Sequence, residues 1–438
     1  MRALVAAAVL SAAASASAGG GGRVPATNRI ELRPGPYDDI LVGTTFGLLV
    51  SHDGGTTWRY MCPAAAHYGG AYDPDYAYGM NGAIFATSFD GLAVMRDGCS
   101  FGPTPLLAKF ASQVERGAQG ELAVALSDPT ASAIAVSSED ASFPQTTPIG
   151  VTTDYWQSLL VSPDGQRIYV SGYRGLEVTD SILLLESHDG GVSFAPMAGA
   201  NLTTTASSTV ILVAIDPLAP DRLYARVDDP TTSEYAFYRS DDAGAAWAPL
   251  TTLVDLAGPP SLLLRANGEL VLGTRSHGMQ SSVDHGATWE PLACPLHVAC
   301  LAESASGEVW ACTQNYDSIE LPGDGYALMR STDLATWSAV MQLHDIAGPV
   351  ACPDGTLQHD RCESEWADLA PLLGPTSSSP ACVVAPPDGP MMVDAIGSEA
   401  PVHGDNGGCC SADGGRGNAF AILVVLLAQA RRRRNHKV

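Results

Sequence analysis

The chain has 438 residues, 46% of them apolar and 16% charged, with 45 Gly and 30 Pro. That is enough for one large core and too apolar for a disordered, solvating chain. Lysine and arginine total 23 against 47 aspartates and glutamates, for a net charge of −24, and so acidic a surface repels phosphate backbones and excludes nucleic acid as a partner.

At the N-terminus, Met1-Arg2 supplies one positive charge, Ala3 to Leu10 is an unbroken apolar run, and Ala16-Ser17-Ala18 is a small-x-small site before four glycines. This predicts a secretory signal over residues 1–18, removed after Ala18, and a linker over 19–27. The alternative, a buried first helix, needs polar positions at helical spacing, and the run has none.

Seven related turns follow. Ser51-His-Asp-Gly-Gly-Thr-Thr-Trp58 is echoed at Ser187 to Phe194, Ser240 to Trp247 and Ser282 to Trp289. Three copies lack one residue, at Met95 to Phe101, Ser137 to Phe143 and Ser331 to Trp337. The marker acids are Asp53, Asp97, Glu139, Asp189, Asp242, Asp284 and Asp333, at intervals of 44, 42, 50, 53, 42 and 49 residues. That period is the length of one four-stranded propeller blade. The turn needs no ligand to explain it: the carboxylate accepts backbone N–H groups ahead of it, Gly supplies positive φ, and the closing aromatic packs beneath. Strand-like stretches precede each turn, as in Ile40 to Gly43 and Gly47 to Val50, and a short Pro-headed stretch often follows, as in Ala195-Pro-Met197, where a lost ladder donor suits an edge strand.

These turns resemble the Asp-box, or BNR, repeat, Ser-x-Asp-x-Gly-x-Thr-Trp. The resemblance covers about residues 28 to 345 and implies an all-β chain forming a single seven-bladed β-propeller, with each box joining the outer two strands of a blade. The structural residues are then Asp53, Trp58, Asp97, Phe101, Glu139, Phe143, Asp189, Phe194, Asp242, Trp247, Asp284, Trp289, Asp333 and Trp337. Glu139 marks the weakest copy, without Asp or Gly. Closure is expected from residues near Asn28 pairing with the last blade.

Eight cysteines lie in the body: Cys62, Cys99, Cys294, Cys300, Cys312, Cys352, Cys362 and Cys382. An even number in an exported protein predicts disulfides, and four bridges allow 105 connectivities. Cys62 with Cys99 and Cys352 with Cys362 are the expected pairs, the first because no other body cysteine lies within about 190 residues of them. The spacings do not fit paired zinc knuckles. Beyond the last blade, Asp360 can cap a helix with Glu363 as its capping-box partner, placing Cys362, Trp366, Leu369 and Leu373 on one face. A disulfide-bearing helical extension over 346–373, pinned onto the propeller, is favoured over a partner-binding helix, with a Pro/Gly/Ser-rich disordered stalk over 374–408.

The C-terminus reads Gly407-Gly-Cys-Cys, a Gly-rich spacer, apolar Ala419 to Ala428, then Arg431 to Arg434. Ten apolar residues at about 1.5 Å each cover half of a bilayer core. This layout resembles the MYXO-CTERM sorting tail of myxobacterial surface proteins, which implies over 409–438 a sorting signal processed by a protease near Cys409 or Cys410, and a protein left on the cell surface, lipid-linked. The alternative is a plain membrane anchor. Contact with the membrane is expected only through this tail or a lipid.

The Asp-box resemblance does not choose a function, since such folds include sialidases, xyloglucanases and sortilin-type receptors. A sialidase would need Arg-Ile-Pro near the start, and the early arginines stand in Arg23-Val-Pro, Arg29-Ile-Glu and Arg33-Pro-Gly. A xyloglucanase-type glycosidase needs two carboxylates across a cleft. Asp73 and Asp75, in Tyr72-Asp-Pro-Asp-Tyr-Ala-Tyr78, are the most suggestive pair, with aromatics that suit sugar stacking. There is no Gly-x-Ser-x-Gly elbow, His-Glu-x-x-His or phosphate loop, and no catalytic, cofactor or metal residue is assigned. The expected function is a surface-displayed binding or scaffold module, its carbohydrate or protein ligand on the propeller face or channel; the alternative is a carbohydrate hydrolase.

Overall fold

The computed structural model describes residues 24–65, 73–128, 130–138, 141–174, 182–317 and 322–375. The expected signal, Glu139, Cys382, most of the stalk, Cys409, Cys410 and the sorting tail lie outside them. The described residues form seven antiparallel sheets, each of four strands consecutive in sequence and in space, a seven-bladed β-propeller. The blades occupy residues 27–61, 76–103, 111–148, 154–196, 209–254, 261–292 and 298–341.

The first strand of each blade is innermost. Thr27–Leu32 packs on both Tyr76–Tyr78 and Val298–Glu303, and the series continues around the axis through Ala111–Arg116, Asp154–Val161, Thr209–Ile215 and Ser261–Leu264. Second strands are buried on both faces along most of their length, as are the third strands of blades 1 and 2, which is why they read as continuous apolar runs. In blade 1, Ile40, Val42 and Leu49 join the core shared with blade 7. Leu41, Leu48 and Val50 join the core shared with blade 2.

Each first strand runs from the face that carries the blade-to-blade connections to the opposite face. The turns between second and third strands therefore lie on the connection face. Those between third and fourth strands, which hold the Ser-x-Asp sequences, lie on the other. Register shifts at Asn28, Ser112, Gln157, Val213 and Ala299 put a bulge in five of the seven inner strands, and bulges re-aim side chains.

Ring closure differs from expectation. Blade 7 has its own fourth strand, Ser338–Met341, so no position is vacant for an N-terminal strand, and Thr27–Leu32 pairs within blade 1. The seam is instead crossed by the C-terminal extension, which adds a parallel edge to blade 1. Ala347 N donates to Trp58 O at 3.0 Å, Tyr60 N to Gly348 O at 2.9 Å and Val350 N to Tyr60 O at 2.9 Å.

The cysteines follow the same path. Cys62 bonds Cys362 and Cys99 bonds Cys352, across 300 and 253 residues. The expected pairs were exchanged, because proximity along the chain says nothing about a segment that returns to blades 1 and 2 after a full circuit. Cys300 and Cys312 are cross-strand partners in blade 7 and form a third bond. Cys294 is also disulfide-bonded.

The extension holds two short helices, α1 (Leu357–Asp360) and α2 (Cys362–Leu369). The Asp360–Glu363 capping box does not form: Thr356 caps the first turn, accepting His359 N, so Asp360 is already helical. Cys362, Leu369 and Leu373 are buried, and Trp366 lies 5.3 Å from the Tyr60 ring. Gln358, fully buried, donates to Tyr60 O at 2.8 Å.

Candidate functional site

The full Ser-x-Asp turns share one geometry. In the first, Ser51 Oγ donates to Asp53 Oδ1 at 2.9 Å, and Asp53 accepts the Thr57 N–H at 2.8 Å and the Thr57 hydroxyl at 2.7 Å. Ser51 Oγ also accepts Gly55 N at 3.0 Å, and Gly55 has φ 84°, open to glycine without strain. Asp189, Asp242 and Asp284 accept Ser193, Ala246 and Thr288 N–H groups in the same way. Asp97 and Asp333 each accept two backbone N–H groups. The Ser193 hydroxyl and N–H draw the Asp189 carboxyl down to about 2, and the Thr288 N–H and hydroxyl do the same to Asp284. These carboxylates are committed to their own turns.

The closing aromatics divide into two groups. Trp58, Trp247, Trp337, Phe101 and Phe143 are buried, whereas Phe194 and Trp289 are half-buried. Trp58 and Trp247 each lie under a crossing segment, through Ala347 N to Trp58 O and Trp247 N to Ala200 O. Trp289 has no such hydrogen-bonded crossing segment among the described residues.

Asp73 and Asp75 do not flank an open cleft. Asp75 is buried, pairs with Arg29 of blade 1 and accepts Val114 N of blade 3 at 2.9 Å, so it fastens three inner strands together. Asp73 accepts Asn28 Nδ2 at 3.0 Å. Tyr76 and Tyr78 are 2% and 3% exposed, which removes them as sugar platforms. Deeper in the channel, Arg29 also bonds Glu31, with Nη2 to Oε1 at 2.7 Å. The side chain of Glu115, on the third inner strand, has no hydrogen-bond partner among the described residues. Burial, then the like charges of Glu31 and Asp75, push its carboxyl up to about 8.

Four aromatics gather on the connection face instead, Phe110 among them buried. Phe89 lies in the middle turn of blade 2, Phe110 just before the inner strand of blade 3, and Tyr155 and Tyr173 on the first two strands of blade 4. Successive ring centroids are 4.7, 5.8 and 5.3 Å apart, so the four form a continuous arc across three blades. Phe89, Tyr155 and Tyr173 are half-buried. The two tyrosine hydroxyls have no protein partner among the described residues, and burial raises both pKa values, keeping them neutral donors. Beside Tyr173, Arg174 binds buried Asp154 through Nε at 2.8 Å and Nη2 at 3.1 Å. Arg174 also borders a cavity of about 420 Å³, walled further by Trp156, Ile182, Leu184, Met197 and Leu202. The outer strand there is only Ala195–Pro196, which leaves Ile182 and Leu184 half-covered.

Sequence reasoning missed this arc, because its members are up to 84 residues apart and belong to no motif. A usable signal was positional: Phe89 and Phe110 fall where strands turn on the connection face. Among the described residues no three His, Cys, Asp or Glu side chains converge as metal ligands.

No protein-family model matches the chain, and no curated protein sequence does. Similar solved structures include the extracellular domain of a one-component system from B. thetaiotaomicron (TM-score 0.47, 11% identity, covering 67% of this chain and 38% of that one). The xyloglucanase of Xanthomonas campestris gives 0.36 and 13%, covering 72% and 66%. The WD40 propeller domain of Doa1 gives 0.43 and 10%, covering 72% and 94%. The chain thus spans little more than a third of the length of the first of these.

Proposed function

We propose that the protein is an exported binding module that takes a carbohydrate ligand at the channel mouth, on the face opposite the Ser-x-Asp turns. The arc of Phe89, Phe110, Tyr155 and Tyr173 carries this reading: backed by the buried Phe110, it offers the half-open rings of Phe89, Tyr155 and Tyr173 and two unpaired hydroxyls beside a cavity, the combination that a sugar's apolar face and hydroxyl rim would use. Three disulfides among the described residues support an oxidising compartment. The turns belong in this proposal to the Asp-box type and are structural. The tail at Cys409 and Cys410 is proposed as a sorting signal for surface display, which an intact Val438 on protein isolated from its native surface would contradict.

The test is calorimetric titration with soluble neutral polysaccharides, xyloglucan and mixed-linkage β-glucan first. Tyr155→Ala and Tyr173→Ala should each weaken binding roughly tenfold, while Asp284→Asn leaves it unchanged. Equal affinity in both tyrosine variants and the parent would reject the arc as the contact surface.

A second reading, hydrolysis, is favoured by one observation: Glu115 holds its proton near neutrality beside the carboxylates of Glu31 and Asp75, as a general acid must. Turnover of the same polysaccharides, abolished in Glu115→Gln, would replace the binding reading.

A further inference from the structure

Arginine in this chain is scarce and mostly spoken for: Arg29 with Asp75, Arg174 with Asp154, Arg222 with Asp216 and Arg265 with Glu303 all pair with acids. Arg275 is different. It sits in the middle turn of blade 6, between strands Leu270–Gly273 and Met279–Ser282, on the connection face. Its backbone N donates to Asp255 Oδ2 at 2.9 Å, but its guanidinium donates to nothing among the described residues. Nε is buried with no acceptor. The two Nη groups are equally without an acceptor among the described residues, and the residue as a whole is half-buried.

The nearby acid is already occupied. Asp255, itself 0% exposed, takes Ala257 N and Ser276 Oγ on Oδ1 and Arg275 N on Oδ2, and forms no ion pair with the guanidinium. Gly258, at φ 128°, lies so close over the stem that a Cβ there would come within 3.2 Å of Arg275 Cδ and Nε. The loop between blades 5 and 6 thus packs against the Cδ–Nε side of the guanidinium. Burial pulls the Arg275 pKa below its ordinary value, against Asp255 and Tyr235, yet arginine remains charged at any physiological pH. A partly desolvated guanidinium whose N–H groups find no acceptor is costly even with the Asp255 charge nearby.

We infer that Arg275 is the anchor of an anion subsite on the connection face, between blades 5 and 6, which binds an oxyanion with two acceptor oxygens, the carboxylate of a uronic acid or a sulfate group, end-on to its two Nη groups. The parallel N–H pair of a guanidinium fits such a group bidentately. This subsite is separate from the aromatic arc, which lies on blades 2 to 4, so an acidic ligand would be gripped there whether or not a neutral sugar binds the arc.

The test is thermal unfolding of the full chain at constant ionic strength in sodium chloride, sodium glucuronate and sodium sulfate, for the parent, Arg275→Lys and Arg275→Gln. Glucuronate or sulfate at about ten times Kd should raise the parent Tm by about 2 °C more than it raises that of Arg275→Gln, with Arg275→Lys between them. The more effective salt identifies the group. In chloride, Arg275→Gln should melt close to the parent, because it removes no hydrogen bond or ion pair and only the attraction of Asp255 at longer range. Equal anion responses in parent and Arg275→Gln would overturn the inference. So would a Tm of Arg275→Gln several degrees lower in chloride, since that would reveal an internal partner. Neutral polysaccharide binding measured in Arg275→Gln keeps this outcome distinct from failure of the arc.

Discussion

Removing the disulfides that tie the C-terminal extension to blades 1 and 2 probes what keeps the ring shut. Considered alone, Cys62–Cys362 closes a loop of 300 residues and Cys99–Cys352 one of 253, and chain entropy assigns either bond about 5.5 kcal/mol. The loops are nested, however. With one bond in place, the other closes only the ring made of residues 62–99 and 352–362, roughly 47 residues and about 4 kcal/mol. Replacing either pair with alanine should therefore lower the unfolding free energy by about 4 kcal/mol, and replacing both by about 9 to 10 kcal/mol, more than twice either single loss. Guanidinium unfolding followed by tryptophan fluorescence measures this, provided that m is compared across variants, since freeing the denatured chain also raises the surface it exposes. A four-cysteine variant no less stable than either pair variant would refute the reasoning. It would mean that the hydrogen bonds of residues 347–350 to the edge of blade 1 hold the seam without covalent help.

Two further outcomes follow from burial. Trp58→Ala should cost about 3 to 5 kcal/mol and Trp289→Ala only about 2 kcal/mol, because the first indole is 2% exposed under a crossing segment and the second is half-open; equal losses in the same unfolding assay would remove the crossing segment as the cause. Glu115 keeps in the folded state, up to about pH 8, a proton that the unfolded chain releases near pH 4.3, so its stabilising contribution is complete below about pH 4.3 and is lost as pH rises to 8. Glu115→Gln should gain midpoint relative to the parent between pH 5 and pH 9, and a pH-independent difference would contradict the shifted carboxyl.

The fold was legible because its punctuation is local. Ser51, Asp53, Gly55, Thr57 and Trp58 make their turn almost entirely with one another, so eight residues of sequence contain the physics of the turn, and seven copies at blade spacing count the blades. Closure was not local. Whether an N-terminal strand or a C-terminal extension crosses the seam depends on whether the last blade fills its own fourth position, and Ser338–Met341 does so without a strong pattern. The cysteine pairing inherited that error, since distance along the chain misjudges neighbours in a ring whose two ends meet.

The same contrast governs function. Each carboxylate in the Ser-x-Asp turns is saturated by its own segment, and a saturated group has little left for a ligand. Among the groups left without a protein partner are the hydroxyls of Tyr155 and Tyr173, neighbours on the first two strands of blade 4, and the guanidinium of Arg275, whose nearby Asp255 is already taken by other donors. A propeller separates these tasks by face: the turns between third and fourth strands are self-bonded, while the opposite face gathers the blade-to-blade connections, which follow no shared turn pattern. On the proposed reading, the motif that reveals the fold therefore points away from the binding surface. Candidate residues are better sought at the positions that the repeat leaves unspecified, between the end of one blade and the second strand of the next, which is where Phe110, Tyr155 and Asp255 lie.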